Sequence, residues 1–220
     1  MNAVSTGAAS GGTALERYYQ FHSRIYDATR WSFLFGREEI LRRLAVITKP
    51  NRILEVGCGT GRNLPGLRRR FPAAQLTGVD LSEQMLALAA QKLRDDKVTL
   101  LRRSYSAPVH TNGKGFDLVL FSYALSMFNP GWEQAIDAAW DDLEEGCLIA
   151  VVDFSHTSFT WFRRWMGVNH VRMEGHLWPY LAKKFTPLLN EQFIAYGGVW
   201  SYGIFIGRKQ RGVTAPTRTA

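Results

Sequence analysis

The sequence predicts an α/β fold: a doubly wound, mostly parallel sheet of seven strands that ends in an antiparallel hairpin. Three observations predict it. Short apolar runs alternate with helical patterns from Arg37 to Val152, a glycine-rich loop follows the first run, and Gly197-Gly198 separates two strand-like stretches near the end.

In order, Ala14 to Ala28 reads as a helix, followed by an aromatic turn with Trp31, Phe33 and Phe35. Arg37 to Ile47 sets Ile40, Leu41, Leu44 and Ile47 on one helical face, and Pro50 closes it. Arg52 to Val56 is a buried strand and Arg62 to Phe71 a helix. Gln75 to Val79 is the second strand, and Ser82 caps a helix that runs from Gln84-Met85 to Arg94. Val98 to Leu101 and Phe116 to Phe121 are strands, Trp132 to Leu143 a helix, and Cys147 to Val152 the fifth strand. Gln192 to Tyr196 and Val199 to Ile206 form the closing hairpin.

The bulk numbers fit one domain of this kind. A chain of 220 residues that is 46% hydrophobic can bury a sizeable core, which excludes a disordered protein. The net charge of +8 favours an acidic partner, nucleic acid or an anionic membrane. No apolar run approaches the ~20 residues that span a bilayer. Residues 1–13 read as a disordered leader without the apolar stretch of a secretory signal, and 209–220 as a disordered tail. Residues 14–48 read as an N-terminal helical lid and 49–208 as the main domain. Cys58 and Cys147 have no metal-site or disulfide spacing, so no metal and a cytoplasmic setting are expected.

Gly57, Gly59 and Gly61 lie between a strand and a helix, where the chain turns sharply and backbone must approach a ligand. The spacing is not the dinucleotide fingerprint, and the Lys-Ser/Thr of a phosphate-binding loop is missing. The string Glu55-Val56-Gly57-Cys58-Gly59-Thr60-Gly61 resembles motif I of the class I methyltransferases, which have a Rossmann-like fold. The resemblance implies that the loop embraces the amino-acid end of S-adenosylmethionine. Asp80, at the tip of the second strand, is placed to accept hydrogen bonds from both ribose hydroxyls. Leu81 and Met85 are expected to sandwich the adenine. Many such enzymes have an acid after the third strand; here the segment is Leu101-Arg102-Arg103-Ser104-Tyr105, so Ser104 is the expected adenine contact. Cys58, Asn63, Tyr105 and Ser122 complete the expected cofactor set.

Flanking strings resemble one group more narrowly, the methyltransferases of betaine-lipid synthesis, which trimethylate diacylglyceryl-homoserine. They are Tyr18-Tyr19-x-x-His22-x-x-Ile25-Tyr26-Asp27-Ala28-Thr29-Arg30-Trp31 with Phe33 to Arg37, Phe121 to Met127, Trp161 to Arg172, and Tyr196-Gly197-Gly198. Aromatic and basic residues crowd 154–190, including Trp161, Trp165, Arg163, Arg164, Lys183 and Lys184. The segment therefore reads as a lid over the substrate that touches an anionic membrane. Acceptor-side candidates are Tyr19, Tyr26 and Tyr123, with His170 as a base. Asp153, His156, Arg164 and Arg172 are the candidates for substrate binding, Arg164 or Arg172 for the homoserine carboxylate or equally for a lipid phosphate or solvent. Expected partners are a lipid with a diacylglycerol anchor, the inner membrane face and the preceding enzyme of the pathway, without nucleic acid. A phosphatidylethanolamine N-methyltransferase is the nearest rival. An RNA methyltransferase is disfavoured, since no Asn/Asp-Pro-Pro-aromatic motif follows the fourth strand.

Overall fold

Five parallel strands form the centre of the sheet, and their carboxyl ends all open onto one edge. The computed structural model describes residues 34–92, 97–110, 113–168 and 171–210. The expected helix 14–28, with Tyr19, His22 and Tyr26, lies outside the described residues, as do Trp31, Phe33 and His170.

Helix α1 (Arg37–Ile47) leads into β1 (Arg52–Val56), α2 (Leu64–Arg70), β2 (Gln75–Asp80), α3 (Glu83–Lys92) and β3 (Val98–Arg102). Then come β4 (Phe116–Ser122), a short 3-10 turn at Leu125–Met127, α4 (Trp132–Asp142) and β5 (Leu143–Phe154). Helices α5 (Thr160–Val168) and α6 (Leu177–Lys184) precede β6 (Thr186–Ala195) and β7 (Trp200–Arg208). The strand order is β3-β2-β1-β4-β5-β7-β6. Strand β7 pairs antiparallel with both β5 and β6, so β6 runs in the same direction as β5 and the expected closing hairpin is present.

Central strands are apolar on both faces because helices cover both. Leu54, Val56, Val119, Phe121, Ile149 and Val151 meet Ile136, Ala139, Leu177, Trp178 and Leu181 of α4 and α6 in one core. Helix α1 starts near Val152, the neighbour that points to the other face, and its Leu41 touches α2 at Gly66. Ile40, Leu41 and Leu44 are buried as their spacing predicts, but Ile47 is exposed where the helix runs out.

Several boundaries differ from the sequence reading. Strand β5 spans twelve residues and takes over Leu143, expected at the end of α4. Strand β6 starts at Thr186 rather than Gln192; it is the sheet's outer strand, where Pro187 is tolerated at a register shift. The hairpin tip is a 3-10 turn at Tyr196–Gly198 with Tyr196, Gly197 and Gly198 all at positive φ, longer than a two-residue turn. Segment 154–190, expected as a lid, is three things: α5 at the carboxyl edge, α6 packed into the core, and the first half of β6.

Candidate active site

The glycine loop crosses from β1 to α2 at the carboxyl edge, with Gly57, Gly59 and Gly61 all in the left-handed region. The N–H groups of Gly57 and Cys58 both donate to Val79 O, at 2.8 and 3.0 Å. A Cβ on Gly57 would lie 2.7 Å from that of Ala124, and one on Gly61 2.9 Å from that of Ala89. At Gly59 nothing lies within 4 Å, so this glycine faces open space on the cleft side. Two glycines therefore serve the packing, and the middle one lets a ligand approach the backbone.

Asp80 ends β2 and ties the loop to the next helix. Its Oδ2 accepts the Gly59 N–H at 2.8 Å and its Oδ1 the Ser82 N–H at 2.9 Å. Ser82 Oγ in turn accepts the Met85 N–H at 3.3 Å, which is the expected cap. Each carboxylate oxygen keeps a further lone pair, enough for a pair of ribose hydroxyls. Beside it Leu81 is exposed, an apolar side chain a flat base could cover, and Met85 is half-buried. Ser104 stands exposed after β3.

Glu55 is buried with one oxygen satisfied: Asn63 Nδ2 donates to Oε1 at 2.7 Å, while Oε2 has no hydrogen-bond partner. Burial pushes its carboxyl up to about 7, against the Asn63 hydrogen bond and the charge of Arg37 and helped by Asp80. An acceptor oxygen stranded in this way fits an incoming ammonium. With the open face at Gly59 and the acid at Asp80, the residues present fit S-adenosylmethionine.

Two expected cofactor contacts have their side chains turned inward. The Tyr105 phenol donates to Asp142 Oδ2 at 2.7 Å and its ring packs on Phe121, so it belongs to the core and only its backbone is left for a ligand. The buried Cys58 thiol lies against Gly78, and burial pushes its pKa up. Ser122 is buried with an unpartnered hydroxyl at the cleft end of β4.

Next to Ser122, Tyr123 has a positive φ of 56°, rare for a bulky residue and a common mark of functional strain. Its ring meets Phe154 edge-on at 4.7 Å, and the Arg37 guanidinium lies 5.7 Å from the ring centre. Burial, then the charge of Asp153, holds the phenol well above its ordinary value, with Arg37 opposing. Asp153 is buried at the end of β5, where its Oδ2 accepts the Ser126 N–H at 3.1 Å and its Oδ1 the Phe154 N–H at 2.8 Å. Tyr123 and Asp153 thus lie at the ends of the paired strands β4 and β5, where the Tyr123 N–H donates to Val152 O at 2.8 Å.

The other substrate candidates have exposed side chains, and Arg172 touches the site by its backbone alone, its N–H donating to Ser126 O at 2.9 Å. His156 is exposed and its backbone bridges to Glu174. Arg164 is exposed on α5, and Arg172 is paired with Glu174 at 2.8 Å on the surface. Lys183 and Lys184 sit at the opposite edge, Lys184 on Asp137. Sequence reasoning missed Arg37 and Ser126. Arg37 was the last letter of a matched string, and the signal that it turns inward is the left-handed Gly36 before it. Ser126 is fully buried with an unpartnered hydroxyl. Among the described residues no group of His, Cys, Asp and Glu could hold a metal.

Residues 53–146 match the family model described as a methyltransferase domain. A malonyl-[acyl-carrier protein] O-methyltransferase of Priestia megaterium is 34% identical over 89 residues, 40% of this chain and 32% of that enzyme. The chain thus spans about a third or less of the length of the curated relatives it matches. Among solved structures, the N-methyltransferase NodS of Bradyrhizobium japonicum WM9, bound to S-adenosyl-L-homocysteine, superposes with a TM-score of 0.63 at 19% identity. That superposition covers 79% of this chain and 86% of NodS. Phospholethanolamine N-methyltransferase 2 of Haemonchus contortus gives 0.69 at 16% identity, over 88% and 59% of the two chains. At such identities the structures show the shared fold. The family match thus falls on the segment that holds the glycine loop and Asp80, whose geometry fits S-adenosylmethionine, and the solved structures share the chain's fold.

Proposed function

We propose that the protein N-methylates a lipid whose headgroup is an amino acid, converting diacylglyceryl-homoserine to its trimethyl betaine. The observation that carries this reading is the pair of opposite charges near Tyr123: the Arg37 guanidinium 5.7 Å from its ring centre, and the buried Asp153 carboxylate at the end of the neighbouring strand β5. An amino-acid headgroup presents an amine and a carboxylate together and matches such a pair; an ethanolamine headgroup lacks the carboxylate. The flanking strings that resemble the betaine-lipid enzymes point the same way.

When bound, the cofactor supplies an electrophilic methyl group. The chain has to hold the amine in line with that group, keep water out and let protons leave. Asp153, fixed by the N–H groups of Ser126 and Phe154, presents negative charge to the amine. The Tyr123 ring offers a face to the cation as it grows. Arg37 pairs with the carboxylate and sets the headgroup's direction. In each round the amine loses a proton to solvent and gains a methyl group; after the third it has no proton left and the reaction stops.

Purified protein with cofactor and defined diacylglyceryl-homoserine should add three methyl groups, read by mass spectrometry. Methylation of phosphatidylethanolamine with the homoserine lipid untouched would replace this assignment.

A further inference from the structure

The outer face of α5 has a composition that a water-facing helix seldom has. Trp161, Arg164, Trp165 and Val168 follow one another at helical spacing, so they form a single stripe. Trp161 is 64% exposed, Trp165 49% and Val168 81%, while Phe162 and Met166 on the inner face are buried. Phe159, also exposed, extends the stripe through its ring contact with Trp161. The helix follows the carboxyl end of β5, so the stripe stands at the same edge as the glycine loop and Tyr123.

We propose that this stripe is the surface by which the protein docks on an anionic bilayer, with the Trp161 and Val168 side chains in the interfacial zone and Arg164 at the lipid phosphates. Charge chooses the occupant. From Phe154 to Met173 the chain has three arginines and no acid, and the next acid, Glu174, is paired with Arg172. Tryptophan flanked by arginine suits the headgroup region, where the indole is half in hydrocarbon and the guanidinium meets phosphate. Single-stranded nucleic acid would share the charge and the stacking, but it has no use for an aliphatic Val168. Docked this way, the open edge of the sheet faces the membrane, and a headgroup reaches Tyr123 while its acyl chains stay in the bilayer. The inference deepens the function above and rests on it only in taking the acceptor to be a lipid.

Flotation of the full chain tests it, with vesicles of phosphatidylcholine alone and vesicles that are roughly one-third phosphatidylglycerol. The protein should float with the anionic vesicles and lose that binding at high salt. Val168→Asp and Arg164→Glu should each weaken it roughly tenfold. Val46→Asp should bind like the parent, since Val46 is 82% exposed at the end of α1, by the opposite edge. Cofactor affinity measured on the same variants reports that they fold. Equal binding by parent, Val168→Asp and Arg164→Glu overturns the proposal, as does capture of a single-stranded oligonucleotide in preference to both vesicles. The two readings fail separately: vesicle binding through α5 without methylation of the homoserine lipid would remove the substrate and leave the docking surface.

Discussion

The Arg37 guanidinium lies 5.7 Å from the centre of the Tyr123 ring, although 85 residues separate Arg37 from Ser122, whose carbonyl also faces its Nη2. Arg37 adds positive charge beside Tyr123 and also lowers the Glu55 carboxyl. Replacing it by lysine keeps the charge and removes the planar fork that grips a carboxylate at two points. Arg37→Lys should raise KM for the homoserine lipid about tenfold and leave cofactor affinity within about twofold. Steady-state kinetics and calorimetry check both. An unchanged KM would take Arg37 out of headgroup recognition.

Glu55 predicts a pH dependence with a definite sign. Its carboxyl titrates at about 7 in the fold against 4.5 as the ordinary value. Between those values the folded chain binds more protons than the unfolded one, so this group's stabilising effect is full below 4.5 and is lost as pH rises through 7. The free protein should lose on the order of 3 kcal/mol across that window from this group. Cofactor affinity should rise over the same window, because an ammonium prefers the ionised carboxylate, and binding below pH 7 should release a proton. Glu55→Gln should abolish both trends. Denaturant melts at pH 5.5 and 8, with calorimetry in buffers of different ionisation heat, test the pair; parent-like trends in the variant would refute the assignment.

The three loop glycines should separate by function. A Cβ on Gly61 meets Ala89 at 2.9 Å and Leu64 at 3.2 Å in a left-handed backbone, so Gly61→Ala should cost about 2–4 kcal/mol of stability. At Gly59 only the backbone penalty of about 1–2 kcal/mol applies. Gly59→Ala should nevertheless be the more damaging to cofactor affinity, since its methyl group would occupy the open space. Melts and titration on both variants would show the opposite ranking if the open face were not the ligand's.

What was legible in the sequence was whatever the chain keeps local. The glycine loop, the Asp80 tip and the Ser82 cap act on neighbours a few residues away, and their chemistry shows in the spacing. Arg37 and Tyr123 each fall in a flanking string, but their contact joins two strings far apart in the chain, so neither string shows it. Tyr105 falls in the expected cofactor set, yet its partner Asp142 is 37 residues on. Strand β6 was hidden by Pro187 and by the mixed pattern of an edge strand with one face exposed. The basic run at Lys183-Lys184 falls inside the expected lid, and sequence distance does not show that α6 returns to the far edge.

Asp142 offers the sharpest test of that reassignment of Tyr105. Its carboxylate is fully buried and accepts from the Tyr105 phenol at 2.7 Å, from the N–H groups of Val109 and His110 at 2.8 and 3.0 Å, and contacts His110 Nδ1 at 2.7 Å. Removing it strands several buried donors at once, so Asp142→Ala should destabilise by about 3–5 kcal/mol. Tyr105→Phe removes one donor and leaves Asp142 its other partners, so it should cost only about 1–1.5 kcal/mol. If the pair is scaffold, Tyr105→Phe should bind cofactor within about twofold of the parent under conditions where both are folded. A tenfold loss of cofactor affinity at unchanged stability would return the phenol to the binding site. The phenol's commitment to Asp142 argues for the first result, because a hydroxyl that already donates to a buried carboxylate has no second proton to offer a ligand.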